Sequence, residues 1–510
     1  MMKTRRVLTS CATVVAALTL SILPRALGGQ EPYPGLDAYI ATSLQALRVP
    51  GASVAIVRND SVIYRRGFGV LAEGSQTPVT EQTLFEIGSS TKAFTATLVA
   101  MMVSDGKMRY DDLVSKYLPD FKLYDPVASA QVTLRDGLAH RSGIGRGELV
   151  WLDAGTSRED VLHRVRFLKP ESPFRSRWSY QNMMYLAAGE AAGKAAGSTW
   201  DDLIQRRIFT PLGMTSSSPT YRGVTTSNLA TAHAMNRETI EKKARFDAEN
   251  IAGAGSIVSS ANDMAQWLRF QLNDGVVAGT RLVSAAALRE THTPQMLIGA
   301  AGGPGASDQT LFNTYGMGWI VQDYRHELAW QHGGNTPGMT AAVGMLPEKK
   351  LGVVVLTNMD HTPLADAVMH YIFDRHLGAP VRDYAREAVA RASAQRRPDT
   401  TAAHTPVSAP LPLAAYVGTY ADSLYGEATV SIENGRLVFR RGLSSGTLEY
   451  WNASNFRWDS NASIPAVAQY IKFEVTPDDK VTGLYFGLAP DVTLLGRKAA
   501  SGAKGGRTGG

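Results

Sequence analysis

Read for its alternation of apolar and polar positions, the chain changes character several times along its length. Residues 51–69 run Gly51-Ala-Ser-Val-Ala-Ile-Val, then Asn59-Asp60, then Ser61-Val-Ile-Tyr, which predicts a hairpin about an Asn-Asp turn. From Ser89 to Asp105 the sequence is apolar on every side of a helical projection, through Ala93, Phe94, Leu98, Val99, Met101 and Met102, until Gly106 stops it. A helix of that kind belongs in the middle of a large domain. Residues 110–300 read mostly as helical segments between Gly and Pro breaks. Strand patterns return at about 316–322, 328–332, 339–346 and 351–357, and a helix follows near 363–376. Strands at both ends with helices between them predict an α+β fold: an antiparallel sheet with packed helices and an inserted helical lobe. The cleft between two such lobes is where an active site is expected.

Beyond residue 380 the pattern changes again. An Ala/Arg-rich helical piece runs into Pro398-Asp-Thr-Thr-Ala-Ala-His-Thr-Pro, which reads as a linker over 381–413. Residues 414–497 are patterned as β throughout, with Asn434-Gly435 at the tip of a hairpin spanning 427–440 and a second turn at Pro477-Asp478-Asp479. Short strands at this spacing predict a small barrel or sandwich. The Gly/Lys/Arg-rich tail, 498–510, is expected to be disordered. At the other end, Lys3, Arg5 and Arg6 precede a mostly apolar run from Val7 to Leu23, and Ala26-Leu27-Gly28 offers a cleavage site. Residues 1–28 are thus expected to be an export signal, placing the domain 29–380 in the periplasm or outside the cell. Membrane contact is expected only if that signal stays uncleaved.

Charge adds an exclusion. Lys plus Arg number 52 against 46 Asp plus Glu, a net charge of +6 over 510 residues. The excess is scattered in pairs such as Arg65-Arg66 and Arg440-Arg441, whereas a nucleic-acid binder gathers its cations on one face. No nucleic-acid partner is expected. Cys11 is the sole cysteine and no His-Glu-x-x-His or Asp-rich loop occurs, so neither a metal nor another cofactor is expected.

Three motifs carry candidate chemistry. Ser89-Ser90-Thr91-Lys92 is a Ser-x-x-Lys sequence opening the apolar helix, where i, i+3 spacing sets hydroxyl and amine side by side. Backbone N–H groups and the positive end of the helix dipole lie near such a serine, which suits an activated nucleophile. The same spacing recurs at Ser104–Lys107, across a helix stop, and at Ser501–Lys504, in the tail; only Ser89 opens a buried helix. Tyr180-Gln181-Asn182 places a phenol and an amide on one side of an extended stretch. Tyr450-Trp451-Asn452 repeats that spacing, and Ser260-Ala261-Asn262 reads as a helix cap. His332-Gly333-Gly334-Asn335 follows a strand, and its glycines let a substrate lie against the backbone. Gly442-Leu-Ser-Ser-Gly446 fits a nucleophile-elbow pattern but lies between two strands with no histidine after His404, so it reads as a turn.

In order, Phe85-Glu-Ile-Gly-Ser-Ser-Thr-Lys, Tyr180-Gln-Asn and His332-Gly-Gly resemble the three motifs of the class C β-lactamase and penicillin-binding serine hydrolases, over about residues 35–380. The all-β tail resembles the small lipocalin-like domain attached to some members. The resemblance implies a serine acyl hydrolase in which Ser89 attacks an acyl carbonyl. Lys92 or Tyr180 would be the general base, and Tyr180 would relay the proton. Asn182 would orient the substrate amide, and the backbone N–H groups of Ser89 and Asn335, beside Gly334, would form the oxyanion hole. His332 stands where β-lactamases usually carry the lysine that binds the antibiotic carboxylate. With an ordinary pKa near 6.5 it would be only about one quarter charged at pH 7. This favours peptide-like substrates, D-amino-acid or peptidoglycan-derived ones among them, or esters. A class C-type β-lactamase is the second reading, and a non-catalytic penicillin- or peptidoglycan-binding protein the third. A homo-oligomer is compatible with each.

Overall fold

A computed structural model describes residues 31–152, 155–236, 238–299, 310–395, 409–460, 470–487 and 492–498. The expected export signal and nearly all of the expected tail lie outside these residues. The chain builds an eight-stranded antiparallel sheet in the spatial order Ser61–Gly69, Gly51–Arg58, Leu351–Thr357, Met339–Leu346, Glu327–Thr336, Ile320–Tyr324, Asn313–Tyr315 and Met296–Gly299. The hairpin at 51–69 is present, with Asn59 and Asp60 both at positive φ in its turn. Its first strand pairs with Leu351–Thr357, so the two ends of the domain meet inside the sheet, one strand in from its Ser61–Gly69 edge.

Alternation explains why these central strands read as unbroken apolar runs. Successive side chains point to opposite faces, and both faces are covered. Val54, Ile56, Val353 and Val355 pack against helices Leu36–Ala46, Leu364–Leu377 and Tyr384–Gln395. Ala55, Val57, Val354 and Leu356 face the helical lobe and helix Ala261–Leu272. The lobe is centred on two apolar helices, Thr91–Ser104 and Met183–Ala196, which pack on each other and are buried along most of their length.

Two expectations need correction. The strand expected at 316–322 is two strands, Asn313–Tyr315 and Ile320–Tyr324, separated by Gly316-Met317-Gly318-Trp319. Gly318 has φ +79°, and a Cβ there would stand 2.8 Å from the Lys92 carbonyl oxygen; the strand breaks where the sheet meets the buried helix. Residues 110–300 also hold short strands, His233–Asn236, Thr239–Lys242 and Met296–Gly299, too brief for alternation to reveal.

Eight strands between Gly418 and Arg497 form a closed barrel filled by aromatic residues, Phe439, Phe456, Phe473 and Phe486 among them. Asn434 and Gly435 take positive φ at the expected hairpin tip. Gly442 and Leu443 form a turn, and Ser444 begins the next strand. The barrel docks on the helical lobe: the buried Arg441 guanidinium donates to the carbonyls of Leu149 and Tyr425, and Arg164 donates to that of Leu424.

Candidate active site

Ser89 lies in a single 3₁₀ turn, Gly88–Ser90, that feeds helix Thr91–Ser104. The turn is clamped against strand Glu327–Thr336. Ser90 Oγ donates to the His332 carbonyl at 3.2 Å, and a Cβ on Gly88 would stand 2.8 Å from the Asn335 nitrogen. At Gly334 a Cβ would overlap the Ile87 carbonyl oxygen and stand 3.1 Å from the Ser89 nitrogen. Only glycine at 334 therefore lets the strand close on the turn, which brings the backbone N–H groups of Ser89 and Asn335 to one corner.

One turn into the helix, Lys92 is wholly buried. Its Nζ lies 3.1 Å from Ser89 Oγ, 2.7 Å from Asn182 Oδ1 and 2.9 Å from the Ala254 carbonyl oxygen. None of these partners is a carboxylate. Burial, reinforced by the positive charge of Arg146, holds the amine well below its usual pKa. A neutral amine has two N–H donors and one lone pair. With Asn182 and Ala254 as acceptors, the lone pair is left for the Ser89 hydroxyl proton.

Tyr180 and Asn182 sit just ahead of helix Met183–Ala196, and the expected alternation holds. Both face Lys92 and Ser89, whereas Gln181 turns away and its Oε1 accepts from the Met184 N–H at the helix start. Tyr180 Oη donates to Ser89 Oγ at 2.7 Å. Burial pushes this phenol up to about 12, the Ser89 hydrogen bond and Arg146 pulling weakly the other way, so it keeps its proton at neutral pH.

His332 corrects the expectation built on an ordinary histidine. Nδ1 lies 2.6 Å from the Gly333 carbonyl oxygen, so it carries the hydrogen; Nε2 lies 2.9 Å from the Tyr315 hydroxyl and accepts from it. Both ring nitrogens are occupied within the protein. Burial pushes the imidazole down to about 3, which leaves it neutral at pH 7 rather than one quarter charged.

Ser89, Tyr180, Asn182, His332 and Asn335 border a cleft of about 640 Å³ that is also lined by Arg146, Glu148, Trp178, Tyr315 and His361. The sequence reading missed the latter five. Arg146 follows the loop Gly143-Ile144-Gly145, where no periodicity marks it, and Tyr315 lies in the strand whose boundary was misplaced. Glu86, three residues before Ser89, is buried beside the cleft wall. Its Oε1 accepts from Tyr221 Oη at 2.6 Å and from the N–H of the cleft residue Phe246 at 3.3 Å, and burial pushes its carboxyl up to about 7.

The competing motifs stay apart from the cleft. Ser104 and Lys107 are exposed at the far end of the helix. Ser260 caps helix Ala261–Leu272 by accepting from the Asp263 N–H. Tyr450 belongs to the barrel, and Ser501–Lys504 falls outside the described residues.

Residues 402–499 match a domain of unknown function, DUF3471. An unguisins hydrolase, ungD of Aspergillus violaceofuscus, is 29% identical over 437 residues, covering 78% of this chain and 76% of that protein. The octameric penicillin-binding protein homologue from Pyrococcus abyssi shares the fold, with a TM-score of 0.60 at 21% identity over 91% of this chain and 98% of that one. A class C beta lactamase from Rhodobacter sphaeroides does so with a TM-score of 0.55 at 22% identity, over 68% and 99%. Residues 36–377, the stretch that supplies every group around Ser89, match the Beta-lactamase family, and the chain belongs to that family of serine hydrolases.

Proposed function

We propose that the chain hydrolyses peptide-like or ester substrates through an acyl-enzyme on Ser89. The observation that carries this reading is the buried Lys92 amine, hydrogen-bonded to Ser89 Oγ and to two neutral acceptors, with no carboxylate among these partners. Ser89 Oγ attacks the acyl carbon as its proton passes to Lys92 Nζ. The oxyanion is held by the N–H groups of Ser89 and Asn335, a contribution of roughly 3–4 kcal/mol per donor. When the bond to the leaving nitrogen or oxygen breaks, the Tyr180 phenol gives that atom its proton and recovers one from Lys92. Water then attacks the ester along the same relay in reverse, freeing the acid and restoring Ser89. Asn182 holds Lys92 and orients the substrate amide.

The name of the hydrolase relative supports turnover over silent binding. The neutral, internally bonded His332 offers no charge to an antibiotic carboxylate and supports peptide or ester substrates over β-lactams. Export through residues 1–28 is part of the same proposal and rests on the sequence of that segment. In the test, Ser89→Ala abolishes labelling by a fluorophosphonate probe and lowers ester turnover on the order of 10⁴-fold. Wild-type acylation rises with pH through one limb set by Lys92. Labelling that survives in Ser89→Ala would overturn the assignment.

A further inference from the structure

A serine hydrolase with a neutral histidine on its strand side needs another group if it is to recognise a charged substrate, and the cleft contains one. Among the described residues lining the cleft, Arg146 is the one arginine or lysine. Its guanidinium lies over the ring of Tyr180, with Cζ 5.0 Å from the ring centroid. Tyr180 Oη is in turn 2.7 Å from Ser89 Oγ. The phenol that protonates a leaving group necessarily lies beside it, so Arg146 faces the departing half of the substrate and not the acyl half.

We propose that Arg146 is a specificity-determining residue that receives a carboxylate borne by the leaving group, and that Glu148 holds it ready on the Tyr180 face. This rests on the hydrolase reading above and adds the charge of the substrate to it. Glu148 Oε1 accepts from Arg146 Nε at 3.0 Å and from Nη2 at 2.5 Å, two of the five N–H donors of a guanidinium. The remaining donors match a second carboxylate, the geometry for which arginine is suited better than lysine. Both residues line the cleft, and Glu148 is less exposed than Arg146, 24% against 55%, so the cation is the more accessible member of the pair. His361, paired with Asp360 at 2.5 Å, lines the same cleft and lies within electrostatic reach of both Arg146 and Glu148. Asp360 and Asp366 also line the cleft, so Arg146 is the group there through which an anionic leaving group gains, while an uncharged one gains nothing from it.

The test compares two substrates on the full chain: an N-acetylglycyl thioester of thioglycolate, whose leaving group carries a carboxylate, and its methyl ester, whose leaving group does not. Released thiol gives kcat/KM for each, and their ratio cancels any effect of a variant on the base. Wild type should prefer the carboxylate substrate at least tenfold. Arg146→Gln should abolish the preference, Arg146→Lys should keep part of it, and Glu148→Gln should raise it by removing a competing anion. If Arg146→Gln keeps the wild-type ratio, or wild type shows no preference, the proposal is wrong, while methyl-ester turnover leaves the hydrolase reading intact. If Ser89→Ala hydrolyses the methyl ester as fast as wild type, the hydrolase reading falls and the proposal falls with it.

Discussion

Replacing Glu86 by glutamine measures how strongly burial governs the wall of this cleft. The side chain is only 4% exposed, and among the described residues no lysine or arginine forms an ion pair with it. Its carboxyl rises from an ordinary 4.5 to about 7, with burial the dominant cause and Thr336, the Tyr221 and Phe246 hydrogen bonds and the charge of Arg245 opposing it. The sign follows from proton counts. Between pH 4.5 and about 7 the unfolded chain has released this proton while the folded chain retains it, so stability falls as pH rises through that window and levels off above it. The interval corresponds to ~3 kcal/mol. Glutamine cannot ionise, and its oxygen can still accept from Tyr221 Oη and the Phe246 N–H. Placing the extra N–H₂ costs about 1 kcal/mol. Glu86→Gln should therefore stabilise the hydrolase domain by ~2 kcal/mol at pH 8 and be neutral or slightly destabilising near pH 4.5. Calorimetry at pH 5, 6, 7 and 8, following the hydrolase-domain transition separately from that of the barrel, reads the crossing directly. Wild-type and variant curves that run parallel across the range would refute the reasoning, because the carboxyl would then titrate alike in folded and unfolded chains.

Two other expectations follow from the packing. Gly334→Ala should lower acylation of Ser89 by at least 100-fold, because the new methyl group meets the Ile87 carbonyl and forces the Asn335 N–H away from the oxyanion corner; stopped-flow acylation with wild-type-like circular dichroism checks this. A chain of residues 29–396, lacking the barrel, should still acylate at Ser89 by intact mass but with altered substrate preference, since Arg441 reaches Leu149, next to the cleft residue Glu148, and among the described residues none of the barrel lines the cleft with Ser89. A folded fragment that fails to acylate would show that the barrel has a direct catalytic part.

Much of this organisation was legible in the sequence, for identifiable reasons. Helix Thr91–Ser104 and strand Leu351–Thr357 are buried on all sides, so their apolar runs left little ambiguity. Tyr180 and Asn182 were paired correctly because period-2 geometry is local. What sequence could not supply was environment. The neutrality of His332 comes from burial in a site where Tyr315, 17 positions earlier, holds its ring, and the lowered pKa of Lys92 comes from burial and Arg146, with Ala254 and Asn182 brought in from elsewhere in the lobe as its partners. Arg146 was missed because a loop residue carries no periodic signature, and its part in the site exists only through the ring of Tyr180 beneath it.

The pairing of Ala52 with Thr357 also sets when the enzyme can exist. During synthesis the first hairpin waits for some 300 residues before the strand that completes its sheet is made, and loop closure over such distances is slow. The strand bearing His332 and Asn335 sits two places from that pairing, so the N–H of Asn335 does not meet that of Ser89 until almost the whole domain has been made. A nascent chain is thus a hydrolase without activity. Until the 351–357 strand docks, its apolar edges offer templates for pairing with other chains, and chains interrupted before residue 357 should aggregate instead of showing partial activity.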